Sequence, residues 1–194
     1  MEEKRAQSHS TVVPERFVAM LTAAAHRFGK PLVGHLASAG ADLAITSLAL
    51  LASRLEIAKL HGVRAIALRM NANDPMSVRL ALNAITARLG RIDLLVHVAS
   101  HELVAISHGV DPCTEAVASA MQGRGGSIVY LLERNGSFPE AAAAEWAKRA
   151  VSLVGVRVED HDAARQVGEA VLSAFRNSRH LAGSIHPVRE LTAL

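Results

Sequence analysis

The sequence predicts an α/β fold, a doubly wound parallel sheet with helices on both faces. Three observations predict it. Strand-like and helix-like segments alternate from residue 16 almost to the end of the chain. The strand-like segments are short and mostly apolar, as strands covered on both faces must be. The first helices stop on Gly40, Gly62 and Gly90, at the position where a helix end favours a residue that tolerates positive φ.

Residues 1–14 are polar and read as a loose arm ending at Pro14, which leaves 15–194 as one Rossmann-like α/β domain, ample for a core. Residues 16–21 are an apolar strand. Residues 30–39 have helical spacing, 43–46 form a second strand, 48–60 a second helix and 63–68 a third strand. Asn73-Asp74-Pro75 opens the next helix, with Asp74 as N-cap and Pro75 in the first turn, and that helix runs to Leu89. Residues 92–98 are a fourth strand, apolar except for Asp93 and His97 near its ends. Residues 111–121 are a short helix, 127–132 a fifth strand, and the Ala-rich stretch 139–153 a helix. A sixth strand is expected at 154–158, a helix at 162–175 capped by Asp162, and a last strand at 182–188.

Composition narrows the function classes. Half of the residues are apolar and only 3% aromatic, so aliphatic side chains build the core. The most apolar stretch, 41–52, holds Asp42, Thr46 and Ser47, and no run reaches a membrane span. The start, Met1-Glu2-Glu3-Lys4-Arg5, does not read as a secretory signal. A lone cysteine, Cys113, excludes an internal disulfide, and these features together predict a cytoplasmic protein. Net charge is +3, yet basic and acidic residues are interspersed without the clustering of a nucleic-acid surface. Neither nucleic acid nor membrane is expected as a partner.

Several segments, read together, resemble the short-chain dehydrogenase/reductase family. Thr22-Ala23-Ala24-Ala25-His26-Arg27-Phe28-Gly29 follows the first strand and is similar to the family's Thr-Gly-x-x-x-Gly-x-Gly phosphate loop, in the variant with Arg at the middle glycine. Gly90-Arg91-Ile92-Asp93-Leu94-Leu95-Val96 resembles its fourth strand and Gly126-Ser127-Ile128-Val129 its fifth. Asn71-Ala72-Asn73-Asp74-Pro75 resembles the loop after the third strand, and 182–188 the final strand. The resemblance implies a Rossmann-like sheet in a trimmed short-chain dehydrogenase form.

It also implies where a cofactor would sit, and several of those positions depart from the family. Ala23 replaces the first loop glycine, a costly exchange if φ there is positive. Arg27 and Gly29 remain. Ser47 ends the second strand where an acid selects NAD or a nearby Arg selects NADP, and chooses neither. Asn71 replaces an adenine-contacting Asp, and His97-Val98-Ala99-Ser100 replaces Asn-Asn-Ala-Gly. The expectation is no resident cofactor. If nucleotide binding is retained, NADP(H) would be held by Ala23, Arg27, Gly29, Ser47, Asn71 and Ala99.

The catalytic positions depart further. The family's Ser falls at Glu133. Its Tyr-x-x-x-Lys falls on Ala144-Glu145-Trp146-Ala147-Lys148, with Lys148 vestigial and the tyrosine absent. A positioned general acid is worth roughly 10²–10⁴ in rate, so hydride transfer should be negligible.

Other groups offer acid–base or metal chemistry. His97, His101 and His108 follow the fourth strand, with Asp111 and Cys113 beyond them. These are zinc-type donors, but His97 and His101 straddle a strand end rather than one helix face, and no metal is assigned.

The leading expectation is an inactive homologue acting as a structural or regulatory subunit, pairing with a full-length short-chain dehydrogenase or with itself. The family pairs through the helices after its fourth and fifth strands, and 141–150 is Ala-rich. Alternatives are a repurposed dehydratase, cyclase or isomerase using His97, His101 or Glu133, and an NADP(H)-binding sensor or reductase.

Overall fold

A computed structural model describes residues 16–49, 51–99, 110–133 and 136–194. The expected arm at 1–14 lies outside the described residues, as do His101 and His108. The elements are β1 (Phe17–Leu21), α1 (Gly29–Ser38), β2 (Ala41–Ser47), α2 (Ala52–Leu60), β3 (Ala65–Arg69), α3 (Pro75–Leu89), β4 (Leu94–Ala99) and α4 (Pro112–Met121). They continue with β5 (Gly126–Leu132), α5 (Glu140–Ala147), β6 (Val151–Arg157), α6 (Ala164–Arg176), α7 (Ser178–Leu181), β7 (Ile185–Pro187) and α8 (Val188–Leu191). The strands form one seven-stranded sheet in the order β3-β2-β1-β4-β5-β6-β7, every pair parallel.

Period-two alternation sorts the strand residues into two core layers. On β5, Val129 and Leu131 face one layer, with Leu32, Leu36, Val171 and Phe175 from α1 and α6. Ile128, Tyr130 and Leu132 face the other, with Ile85, Val117, Met121 and Trp146 from α3, α4 and α5. Every residue of β1 and β2 is buried, which is why their sequences read as apolar runs.

Two helices start by the same device. Asp74 accepts the backbone N–H groups of Met76 and Ser77, each at 3.1 Å, with Pro75 in the first turn. Asp111 accepts Thr114 N at 2.9 Å, with Pro112 following it. The extended, unwound cap and the proline's preset φ both favour entry into a helix there. Asp93 has a structural task at the opposite edge of the sheet. It accepts Val18 N at 2.8 Å and pairs with Arg91 at 2.9 Å, fastening β4 to β1.

The second half corrects three boundaries. The helix expected over 139–153 stops at Ala147, and β6 begins at Val151 rather than at 154. Ala150 takes φ +62 between them, a left-handed turn that helical spacing in an Ala-rich run does not reveal. Asp162 does not cap the following helix. Its carboxylate accepts Glu159 N at 2.7 Å, closing the preceding turn, and α6 starts after Ala163.

Candidate functional site

The strand order reverses between β1 and β4, so their C-terminal ends open into the crevice where parallel α/β sheets bind ligands. The loop after β1 is pinned into that crevice from both sides. Thr22 N donates to Val96 O on β4 and Ala24 N donates to Thr46 O on β2, each at 3.0 Å. Ala23 holds φ +48, so the backbone still makes the turn that a glycine would make freely. Gly29 is required at the start of α1, because a Cβ there would lie 2.0 Å from Ala24 O.

A cavity of about 200 Å³ opens beside this loop. It brings Ala23, Ser47 and Asn71 together with Leu48, His97 and Val98. Ser47 Oγ accepts Ala49 N at 3.2 Å, and Asn71 Oδ1 accepts Asn73 N at 3.1 Å, so both polar groups shape their own turns as well as the cavity wall. Ala99 ends β4 in register with Leu132 of β5.

Arg27 and Glu133 are brought together from loops that flank the crevice. Arg27 donates to Glu133 Oε1 through Nε at 3.1 Å and Nη2 at 2.9 Å, and its guanidinium lies 4.3 Å above the Phe28 ring centroid. His26 Nε2 approaches the same oxygen at 3.4 Å. The anion that the loop holds is therefore one of the protein's own carboxylates.

The other two positions of the expected catalytic set lie elsewhere. Ala144 is exposed on α5, and Lys148 caps that helix, where its Nζ donates to Glu145 Oε1 at 2.6 Å. The chain's only tyrosine, Tyr130, is buried in β5. Its hydroxyl lies 3.0 Å from Asp111 Oδ2 and 2.8 Å from Thr114 Oγ1, and it can donate its single proton to either.

This buried polar group was not legible in the sequence as a unit. In the sequence Asp111 reads as a helix start and as one of several separate zinc-type donors, yet its carboxylate also accepts from Thr114 Oγ1 at 2.6 Å and faces His97. His97 Nδ1 meets Thr22 Oγ1 at 3.2 Å, and Val98 N donates to that same hydroxyl oxygen. Nε2 lies 3.5 Å from Asp111 Oδ2, close enough for an ion pair of a protonated ring, but it makes no hydrogen bond. Burial outweighs the attraction of Asp111 and holds the His97 pKa below its ordinary value. Burial opposes ionisation of Asp111, but His97 and the hydrogen bonds from Thr114 and Tyr130 outweigh it and hold the carboxyl below its usual range. The Tyr130 hydroxyl is pushed upward by burial and by Asp111.

Both ring nitrogens of His97 thus address protein groups. The expected proton-transfer role would need one of them turned toward the cavity.

The family model for short chain dehydrogenases matches residues 17–154. No curated protein matches the chain in sequence. Among solved structures, a protein from Sinorhizobium meliloti 1021 described as a short-chain dehydrogenase/reductase superposes with a TM-score of 0.76 at 22% identity, covering 90% of this chain and 96% of that one. A short-chain type dehydrogenase/reductase from Mycobacterium marinum gives 0.75 at 20% identity, covering 88% and 92%. Acetoin dehydrogenase from Salmonella typhimurium gives 0.74 at 18% identity, covering 89% and 95%. These likenesses show the fold, and the family match covers most of the chain. The parallel Rossmann-like sheet and its loop after β1 are thus those of a short-chain dehydrogenase, and the chain belongs to that family.

Proposed function

We propose that this chain is a short-chain dehydrogenase homologue without hydride-transfer activity of its own, serving as a structural or regulatory partner of an active dehydrogenase of the same fold. The observation that carries this reading is the state of its single tyrosine. Tyr130 is locked in the sheet against Asp111 and Thr114, Ala144 stands where the resemblance would put the family's tyrosine, and Lys148 is paired with Glu145. No phenolic acid is left to protonate a substrate carbonyl.

The cofactor argument points the same way. Members of the family typically bind NAD(P)(H). The cavity beside Ala23, Ser47 and Asn71 suits the adenosine end of such a nucleotide. Toward the reacting end, Arg27 is held by Glu133, and a pyrophosphate would have to displace that carboxylate. The residues therefore fit one end of the cofactor and not the other. This favours a second, subordinate reading, a nucleotide sensor that binds without turnover.

Pairing is supported by α5, where Ala141, Ala144 and Ala147 are exposed and small enough for a partner helix to approach closely. The buried free thiol of Cys113 suits a reducing cytosol. Among the described residues, no helix is long and apolar enough to cross a membrane.

The test has two parts. The purified chain is incubated with NADPH and NADH and a panel of aldehydes and ketones, and no nucleotide consumption is expected. It is then co-expressed with complete short-chain dehydrogenases of the same source genome, and a stable mixed complex with one of them is expected by size-exclusion chromatography with light scattering. Steady turnover by the isolated chain would overturn the reading.

A further inference from the structure

A second cluster lies behind the crevice, where the end of β4 meets the first turn of α4. His97, Asp111 and Cys113 each offer one ligand atom there, and these atoms lie within 4.8 Å of one another. All three side chains are buried, His97 at 1%, Asp111 at 4% and Cys113 at 0% exposure. His97 Nε2 is fully buried without a hydrogen-bond partner and faces the Asp111 carboxylate. An imidazole nitrogen left without a hydrogen bond beside a carboxylate and a thiol is an expensive arrangement in a dry core. A divalent cation between the three groups would satisfy all of them.

We propose that His97 Nε2, a carboxylate oxygen of Asp111 and Cys113 Sγ form a binding site for one zinc-type divalent cation. The donor set is one nitrogen, one oxygen and one sulfur, which suits zinc better than magnesium or calcium. Bond lengths to nitrogen and sulfur of roughly 2.0–2.3 Å put neighbouring donors of a tetrahedron roughly 3.3–3.8 Å apart. The imidazole and carboxylate are already 3.5 Å apart. The widest separation must close by about 1 Å, which side-chain rotation supplies.

The surroundings resemble the outer shell that orients metal ligands. Thr22 Oγ1 engages His97 Nδ1, which turns Nε2 toward the cluster. Thr114 N, Thr114 Oγ1 and the Tyr130 hydroxyl hold the Asp111 carboxylate. The cavity is lined by His97 but not by Asp111 or Cys113, so the cluster lies behind its wall and an ion would enter by local opening of the end of β4 or the start of α4. Binding forms the sulfur–metal bond and releases the Cys113 thiol proton to solvent, one proton per ion. The bound ion would tie the end of β4 to the start of α4.

The test is titration of the chelator-stripped full chain with Co²⁺ alone, followed by Zn²⁺ displacement. Cys113 is the only cysteine, so a thiolate-to-cobalt charge-transfer band can come from no other residue. Expected are one Co²⁺ per chain, that band with a tetrahedral visible spectrum, and its loss on adding Zn²⁺. Cys113→Ser should abolish the band, and Thr114→Val should keep it while weakening affinity by roughly 10–100-fold. The chain carries ten histidines, and cobalt held only by surface imidazoles would show an octahedral spectrum without the thiolate band. That result in the wild-type chain, which requires no variant to fold, would overturn the proposal.

Discussion

Arg27 Nη2 lies 2.9 Å from Glu133 Oε1, an ion pair that joins the loop between β1 and α1 to the end of β5. The pair spans the two halves of the sheet at the point where the strand order reverses. His26 adds a second contact to the same carboxylate oxygen. In a family whose loop after β1 serves phosphate, this chain answers its own arginine.

Glu133→Gln should therefore free Arg27 for an external anion. Calorimetric titration with NADPH is expected to show affinity at least several-fold higher than for the wild type. Both side chains are partly exposed, so stability should change by less than about 1 kcal/mol. Equal affinity in the two proteins would separate Arg27 from nucleotide binding.

The loop itself makes opposite predictions at two positions. Ala23 holds φ +48, where an L-residue is strained by about 1–2 kcal/mol. Ala23→Gly removes that strain but loosens the unfolded chain by about 0.4–1 kcal/mol, leaving a net gain of up to about 1.6 kcal/mol. Gly29→Ala sets a Cβ 2.0 Å from Ala24 O, a backbone atom that cannot swing aside. It should cost about 1–3 kcal/mol. Urea unfolding of both variants checks the signs.

A tyrosine placed at Ala144, where the resemblance would put the family's own, should not bring hydride transfer. Ala144 is exposed and Lys148 sits at the C-cap of a short helix, bound to Glu145, so Ala144→Tyr places a phenol on the surface. NADPH oxidation by this variant is expected to stay at background with every carbonyl tested. Measurable turnover would mean that this helix moves into the crevice.

The buried polar group should matter more for stability than any surface pair. Tyr130→Phe removes a donor to Asp111 or Thr114 in a dry environment, at a cost of about 1.5–3 kcal/mol. Arg165→Ala breaks the exposed pair with Glu169 and should cost under about 0.5 kcal/mol. Denaturant midpoints of the two variants measure the contrast.

Cys113 should be inert in the folded protein. It is fully buried, and burial together with the Asp111 charge pushes its thiol far above the ordinary range. Iodoacetamide is expected to label it only after addition of denaturant. Rapid labelling under native conditions would show that the start of α4 opens.

The first half of the fold was legible because its signals are local. Asp74 before Pro75 and Gly90 after Leu89 bound α3 by caps that act within a few residues. The same local logic failed between α5 and β6. Helical spacing continues through the Ala-rich run, and the chain leaves the helix because Val151 to Arg157 pair with β5. That pairing depends on residues far away in sequence.

The site divides along the same line. Ala23, Gly29 and Arg27 were recognisable because a phosphate loop is a contiguous motif. The partner of Arg27 was not recognisable. Glu133 lies more than a hundred residues away and reads alone as a solvated acid. His97, Asp111 and Cys113 were each noticed as metal-type donors, but only the close approach of β4 and α4 makes them a cluster.

By itself, then, the sequence determined the parallel α/β class and the family. Hydrophobic periodicity, caps and contiguous motifs are encoded over a few residues. The tertiary structure decided which charge Arg27 meets and which buried groups surround His97. Those contacts depend on strand order and on the register of β4 against β5, which bring together residues that no local pattern connects.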